Sequence, residues 1–287
     1  MLEVSGGGVR LRLDPEHGGR IVSLVALGRE WLTESWPAAP GATRFVHSGT
    51  GGWDEALPTI APSEGLPDHG DVWNVPWSVS SAGKHEIATT VRSASSGIVL
   101  ERLVRPTPDG LAVRYRASTT DLRPRSFLWS AHPLFSAADG AHITLPGVTE
   151  VLQEYPRVDT HAPVPGATAI GGAGATVAPR AVKAFVASRA LRSNPAGVGG
   201  PRSVHASIAL PDGRSLGMTW DPAEIPWLGV YADSGEFSRD PVLALEPTST
   251  PSDSAAQARE LWTVSASLPR EWSVHLHCSE GPSVPAR

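Results

Sequence analysis

Three polar stretches, far apart along the chain, carry residue types suited to moving protons. His132 lies in Trp129-Ser130-Ala131-His132-Pro133-Leu134-Phe135, among apolar residues, beside a proline and at the end of a strand-like run. Imidazole is the side chain best matched to proton transfer near neutral pH, although a buried ring satisfied by a backbone carbonyl has the same surroundings. Glu246 closes the apolar run Leu243-Ala244-Leu245 and is followed by Pro247-Thr248-Ser249-Thr250-Pro251. A carboxylate at the end of a buried strand is costly unless paired or hydrogen-bonded, which points to a cleft more than to a solvated edge. The third stretch runs Gly51-Gly52-Trp53-Asp54-Glu55-Ala56-Leu57-Pro58-Thr59-Ile60 and continues in Leu66-Pro67-Asp68-His69-Gly70. Its glycines permit a close approach to a ligand, and Asp54, Glu55, Asp68 and His69 offer acceptors and a titratable ring. An ordinary turn-rich surface loop would read the same way.

Other chemistries find less support. His275 and His277 share a strand face, but no third metal ligand follows at a sensible spacing. The run Gly171-Gly172-Ala173-Gly174 lacks the Lys-Ser/Thr pair of a phosphate loop, and no Gly-x-Ser-x-Gly elbow occurs. Cys278 is the only cysteine, which excludes an intrachain disulfide and fits a reducing cytoplasm.

The elements that must position these residues are strands. Val9 to Asp14 alternates, Arg20 to Leu27 is strand-like, and His85 to Thr119 holds three strand candidates separated by turn signals. Val204 to Leu210 and Ser215 to Trp220 flank Pro211-Asp212-Gly213-Arg214, a hairpin signal. Further strands are expected at Asp71 to Val79, Val242 to Leu245 and Trp272 to His277, with one short helix at Ser252 to Glu260 capped by Ser252 or Asp253. Many short strands with 29 glycines and 27 prolines spread among them argue for an all-β sandwich or barrel. The stretches 37–52, 163–174 and 194–202 are loop-like, yet none has the length or charge of an interdomain linker, so 1–287 is read as one domain. A net charge of −5 with scattered lysines and arginines gives no footprint for nucleic acid or an anionic membrane. The opening residues lack the apolar run of a signal peptide, and no stretch is apolar enough to span a bilayer. The 10 tryptophans outnumber the 8 other aromatic residues, and their flat faces suit stacking on sugar rings as well as filling a core.

Taken in order, Gly-Trp-Asp-Glu…Pro-Thr-Ile, Asp-His-Gly, His-Pro-x-Phe and Glu-Pro before a proline-rich turn resemble the aldose 1-epimerase family. Gly18-Gly19-Arg20-Ile21 is similar to that family's first hairpin, so the likeness runs from about residue 9 to residue 277. The resemblance implies a large antiparallel β-sandwich of the galactose mutarotase-like kind. It implies an isomerase that exchanges the α and β anomers of a free sugar without cofactor or metal, as monomer or homodimer. Carried over by position, His132 is the acid that protonates the ring oxygen, Glu246 the base that takes the anomeric proton, and His69 a substrate contact. On this reading an imidazolium at His132 and a carboxylate at Glu246 face each other and stabilise each other's charge. Asp54, Glu55, Asp68, Trp53 and Trp227 are expected around the sugar, with Asp233 or Asp54 standing in for the family's sugar-binding aspartate. Trp73 and Trp77 are further candidate walls.

The chain also departs from the family. Ala131 replaces the usual asparagine before the histidine, Leu134 the usual tyrosine, and residues 44–52 hold no clear match to the usual arginine. These departures bear on which sugar is taken. A non-catalytic sugar-binding protein of the same fold is the alternative.

Overall fold

Alternation along Val9–Asp14 buries Val9, Leu11 and Leu13 and leaves Arg10 and Arg12 in solvent, and the same rule builds most of the molecule. The computed structural model describes residues 1–36, 42, 44–45, 51–156, 162–163, 169–171, 180–193 and 197–281. Among them there are two short 3₁₀ turns, Ala138–Gly140 and Ser188–Ala190, and no α-helix. The described residues likewise contain no helix long and apolar enough to cross a membrane.

Two large antiparallel sheets face each other. The first runs, edge to edge, through Leu2–Gly6, Val9–Asp14, Arg20–Ala26, Gly52–Ala56, Ser130–Ser136, Val242–Thr248, Trp227–Asp233, Ala181–Ala187, Glu150–Tyr155 and Ala162–Pro163, with Arg29–Glu30 attached to the third strand. The second runs through Ala169–Gly171, His142–Thr144, Val204–Ala209, Arg214–Trp220, Arg270–Glu280, Gly110–Ser118, Val99–Thr107, Glu86–Arg92 and Ser78–Gly83. A two-stranded ribbon, Arg125–Phe127 with Trp262–Val264, lies beside them. One hydrophobic cluster, drawing on residues from Val4 to Leu276, fills the space between the sheets. The all-β sandwich expected from the strand pattern is therefore the observed architecture.

The hairpin around Asp212-Gly213 forms as expected, with Ala209 opposite Ser215 and Gly213 at φ 89°. The three strands between His85 and Thr119 are Glu86–Arg92, Val99–Thr107 and Gly110–Ser118. Two expectations fail. Asp71 to Trp77 is a series of turns, and a strand begins only at Ser78. Pro76 cannot donate to a ladder, and the indoles of Trp73 and Trp77 are tied to carbonyls of residues 68, 70 and 72. Ser252 to Glu260 makes only a turn, because its backbone serves another segment: the carbonyl of Asp253 accepts from Ile60 and Ala61. The loop-like stretches 37–52, 163–174 and 194–202 lie largely outside the described residues; within them Gly52 opens one strand and Ala169–Gly171 forms an edge strand.

Candidate functional site

Five neighbouring strands at the centre of the first sheet carry the site: Gly52–Ala56, Ser130–Ser136, Val242–Thr248, Trp227–Asp233 and Ala181–Ala187. Their ladder sets which residues meet. Ser130 pairs with Thr248 and Phe135 with Leu243, which brackets His132 and Glu246 at facing positions. On the other side Glu246 pairs with Gly229, and Lys183 with Tyr231. Alternation sends Leu243 and Leu245 into the main core, while Leu134, Val242 and Ala244 form a small separate cluster on the opposite face. His132, Glu246 and Lys183 stand on that face, in a cavity of about 470 Å³.

The polar floor of the cavity consists of His69, His132, Lys183, Glu246 and Asp253. His132 Nε2 is 3.8 Å from Glu246 Oε1, beyond direct hydrogen bonding. Both Glu246 Oε1 and His132 Nδ1 are buried with no hydrogen-bond partner. The other carboxylate oxygen is held: Lys183 Nζ lies 2.7 Å from Glu246 Oε2 and 2.8 Å from Asp253 Oδ1. Gly229 makes room for this arrangement, since a Cβ there would sit 3.1 Å from Glu246 Oε2. The walls are Phe45, Ile60, Leu134, Tyr155, Tyr231 and Val242, and Glu236 to Arg239 form the rim.

His69 enters from the loop after Ile60, whose carbonyl accepts its backbone N–H at 2.6 Å. Its backbone is left-handed, φ 57°. Asp68 Oδ1 accepts from His69 Nδ1 at 2.8 Å, which fixes the tautomer and leaves Nε2 as the nitrogen able to meet a ligand. The ring stacks on Phe45 at 4.1 Å and meets the His132 ring edge-on at 4.9 Å. Asp68 Oδ2 also accepts from the Phe45 N–H, so one carboxylate fixes both rings.

Burial pushes the proton affinity of His132 well below the usual imidazole range, and the nearby His69 and Lys183 push the same way. Burial therefore favours the neutral ring over the imidazolium that the sequence leads one to expect opposite Glu246. Positive charge resides on Lys183 instead. Burial pulls its ammonium down, but Asp253 and Glu246 outweigh burial and hold it above the usual lysine range.

The remaining candidates lie elsewhere. Trp53, Asp54 and Glu55 are consecutive on one strand, so they cannot share a face. Trp53 and Glu55 turn into the core between the sheets. Glu55 accepts from Tyr115 Oη at 2.8 Å, Trp129 Nε1 at 3.0 Å and Arg102 Nη1 at 3.1 Å. Asp54 is paired in the ladder with His132 but is buried beside the cavity, bound to Arg20 Nε at 2.8 Å. Asp68 acts through His69. Trp227 does not line the cavity, and Trp73 and Trp77 are core residues. Asp233 holds the rim from beneath. Its Oδ1 accepts the N–H groups of Gly235 and Glu236, and its Oδ2 those of Phe237 and Ser238 together with the Ser238 hydroxyl. Burial raises this carboxyl, but the donors outweigh it and leave it below the usual carboxylate range.

Lys183 and Asp253 were not singled out as site residues in the sequence. A lysine inside the apolar run Ala181-Val182-Lys183-Ala184-Phe185-Val186 is a usable signal, because lysine is almost never fully buried without a partner. Its partners lie 63 and 70 residues away, so spacing cannot reveal them.

No protein-family model matches the chain, and neither does any curated protein sequence. Solved structures do. A protein of Synechocystis sp. PCC 6803 is similar with a TM-score of 0.71 and 15% identity, over 96% of this chain and 93% of that one. A galactose mutarotase-like protein of Lactobacillus casei ATCC 334 is similar with a TM-score of 0.69 and 17% identity, over 97% of this chain and 100% of that one. A galactose mutarotase related enzyme of Lactobacillus acidophilus is similar with a TM-score of 0.69 and 13% identity, over 99% of both chains. Strand order, sandwich architecture and these likenesses over nearly the full length agree: the chain has the galactose mutarotase-like fold.

Proposed function

We propose that the protein is a cofactor-independent isomerase that exchanges the α and β anomers of a free sugar, with Glu246 as base and His132 as acid. The observation that carries this reading is the pair itself: an orphaned carboxylate oxygen and an imidazole nitrogen 3.8 Å apart in the floor of a cavity. The names of the similar Lactobacillus proteins support the same reaction class. Anomer exchange removes a proton from the anomeric hydroxyl and places one on the ring oxygen, and closing the ring on the other face returns both. Glu246 Oε1 takes the first proton. His132 delivers the second from its protonated form, and His69 Nε2 binds a sugar hydroxyl. The apolar walls pack against the C–H faces of the ring.

The test is anomer exchange followed by NMR over a panel of aldoses and sugar phosphates. Wild type accelerates exchange of at least one sugar, and His132→Ala and Glu246→Gln each lose about 10²–10⁴-fold. Full activity in both variants removes the mechanism.

A second reading has a specific observation behind it. Burial disfavours the charged form of His132, and Glu246 already engages Lys183, as in a site that binds sugar without turning it over. Sugar binding with no exchange by wild type would establish that reading.

A further inference from the structure

Anomer exchange needs positive charge where the ring oxygen gathers electrons, and burial disfavours that charge on His132 in the resting site. An ammonium has three N–H donors. Two of those of Lys183 face Glu246 Oε2 and Asp253 Oδ1, and Lys183 itself lines the cavity. We propose that Lys183 is a further catalytic residue: it locks Glu246 through Oε2 so that Oε1 alone faces the sugar, and it gives its third N–H to the ring oxygen as the ring opens.

This role rests on the anomer-exchange reading and deepens it. In the step, Glu246 Oε1 accepts the anomeric proton as the bond from C1 to the ring oxygen breaks. The electron pair of that bond stays on the ring oxygen, where the Lys183 N–H holds it until His132, having taken a proton from solvent to become the imidazolium, delivers that proton and returns to the neutral ring. Reclosure reverses each transfer. Lys183 keeps its own proton throughout, consistent with its retention by two carboxylates.

The geometry also fixes what Lys183 is not. Its charge is balanced by Glu246 and Asp253, and the rim carries one further residue of each sign, Glu236 and Arg239. It is therefore not the anchor of a phosphate-bearing substrate, and the inference is for a neutral sugar.

The test compares wild type, Lys183→Met, Lys183→Arg, Asp253→Asn and the double variant Lys183→Met with Asp253→Asn. The double variant removes the cation and one carboxylate together, so it does not strand two buried negative charges. For the exchanged sugar, kcat falls about 10²–10³-fold in Lys183→Met, and in the double variant relative to Asp253→Asn, with little change in KM; Lys183→Arg recovers part of the loss. The titratable groups around His132 are His69 and Asp253 from loops, Asp54 and Glu246 at its ladder positions on the two adjacent strands, and Lys183 two strands beyond Glu246. Ring NMR of His132 therefore shows its titration moving to higher pH once Lys183 is gone. Unchanged kcat, a loss confined to KM, or an unmoved His132 titration overturns the role of Lys183 while leaving anomer exchange intact. If wild type exchanges no sugar, the functional reading falls and this role falls with it.

Discussion

At the scale of single residues, the proposed acid–base pair is asymmetric. Glu246 has one oxygen anchored and one bare. His132 has a ring that resists protonation, chiefly because it is buried. A depressed imidazole is a strong acid when charged and a scarce one at neutral pH. The rate of anomer exchange is accordingly expected to fall as pH rises through the His132 titration, with that limb on the acid side of the ordinary imidazole value. A pH profile of kcat/KM checks this; a plateau extending from acid to well above neutral would assign the proton donor elsewhere. The motifs around His132, Glu246 and His69 were legible in the sequence because each is locally unusual: a histidine beside proline, a glutamate closing an apolar strand, a histidine between aspartate and glycine. Which oxygen is free, and how far the ring resists protonation, depend on Lys183 and Asp253, which join the site only through folding.

At the scale of elements, the ladder acts as the positioning device. A strand without a side chain at one rung separates Glu246 from the strand bearing Lys183, and that rung is Gly229. A methyl group there meets the Glu246 carboxylate at 3.1 Å, tighter than an ordinary contact. Gly229→Ala is expected to weaken exchange modestly. Gly229→Val displaces the carboxylate further and costs about 10²-fold, the order of loss for a 1 Å misplacement at a reacting group. Both variants should keep the wild-type far-UV circular dichroism, because Gly229 adopts no left-handed backbone; kinetics and circular dichroism on the same samples decide the point. Strand alternation also explains the misplaced candidates. Trp53, Asp54 and Glu55 form one compact motif on paper, but period-two geometry delivers only the middle residue to the face shared with His132.

At the scale of the whole molecule, the two sheets are joined by a buried ionic contact, Glu55 from the first and Arg102 from the second. Arg102 also donates to the Gly19 carbonyl and lies over the Trp77 ring. Burial, opposed by Arg102, Tyr115 and Trp129, pushes the Glu55 carboxyl up to about 7. The folded state then binds the Glu55 proton more tightly than the unfolded chain does. Its contribution is fully present below the unfolded value of 4.5 and is lost as pH rises towards 7. Denaturant unfolding across this window should show a component of about 3 kcal/mol that declines with pH and disappears in a Glu55→Gln variant. Glu55→Ala leaves Arg102 buried without its partner and is expected to cost about 3–5 kcal/mol. We take the chain as one cooperative unit, so each melt should show a single transition; two transitions would divide it. The sandwich was legible because alternation and turn residues are local signals. The partnership of Glu55 and Arg102 was not, since it joins strands from different sheets 47 residues apart.

The loop carrying Glu236 to Arg239 is tied to the sheet by two carboxylates: that of Asp233 accepts its N–H groups, and that of Glu236 accepts from Tyr155 Oη and the Ala181 N–H. The groups proposed for catalysis are rooted in ladder rungs, whereas the mouth is a loop tied on by carboxylates of its own, so the two are separate parts. If the proposed function holds, mutation can recut the mouth to admit a different sugar while the floor proposed to handle protons stays as it is, so chains sharing this floor are free to diverge in substrate before they diverge in chemistry.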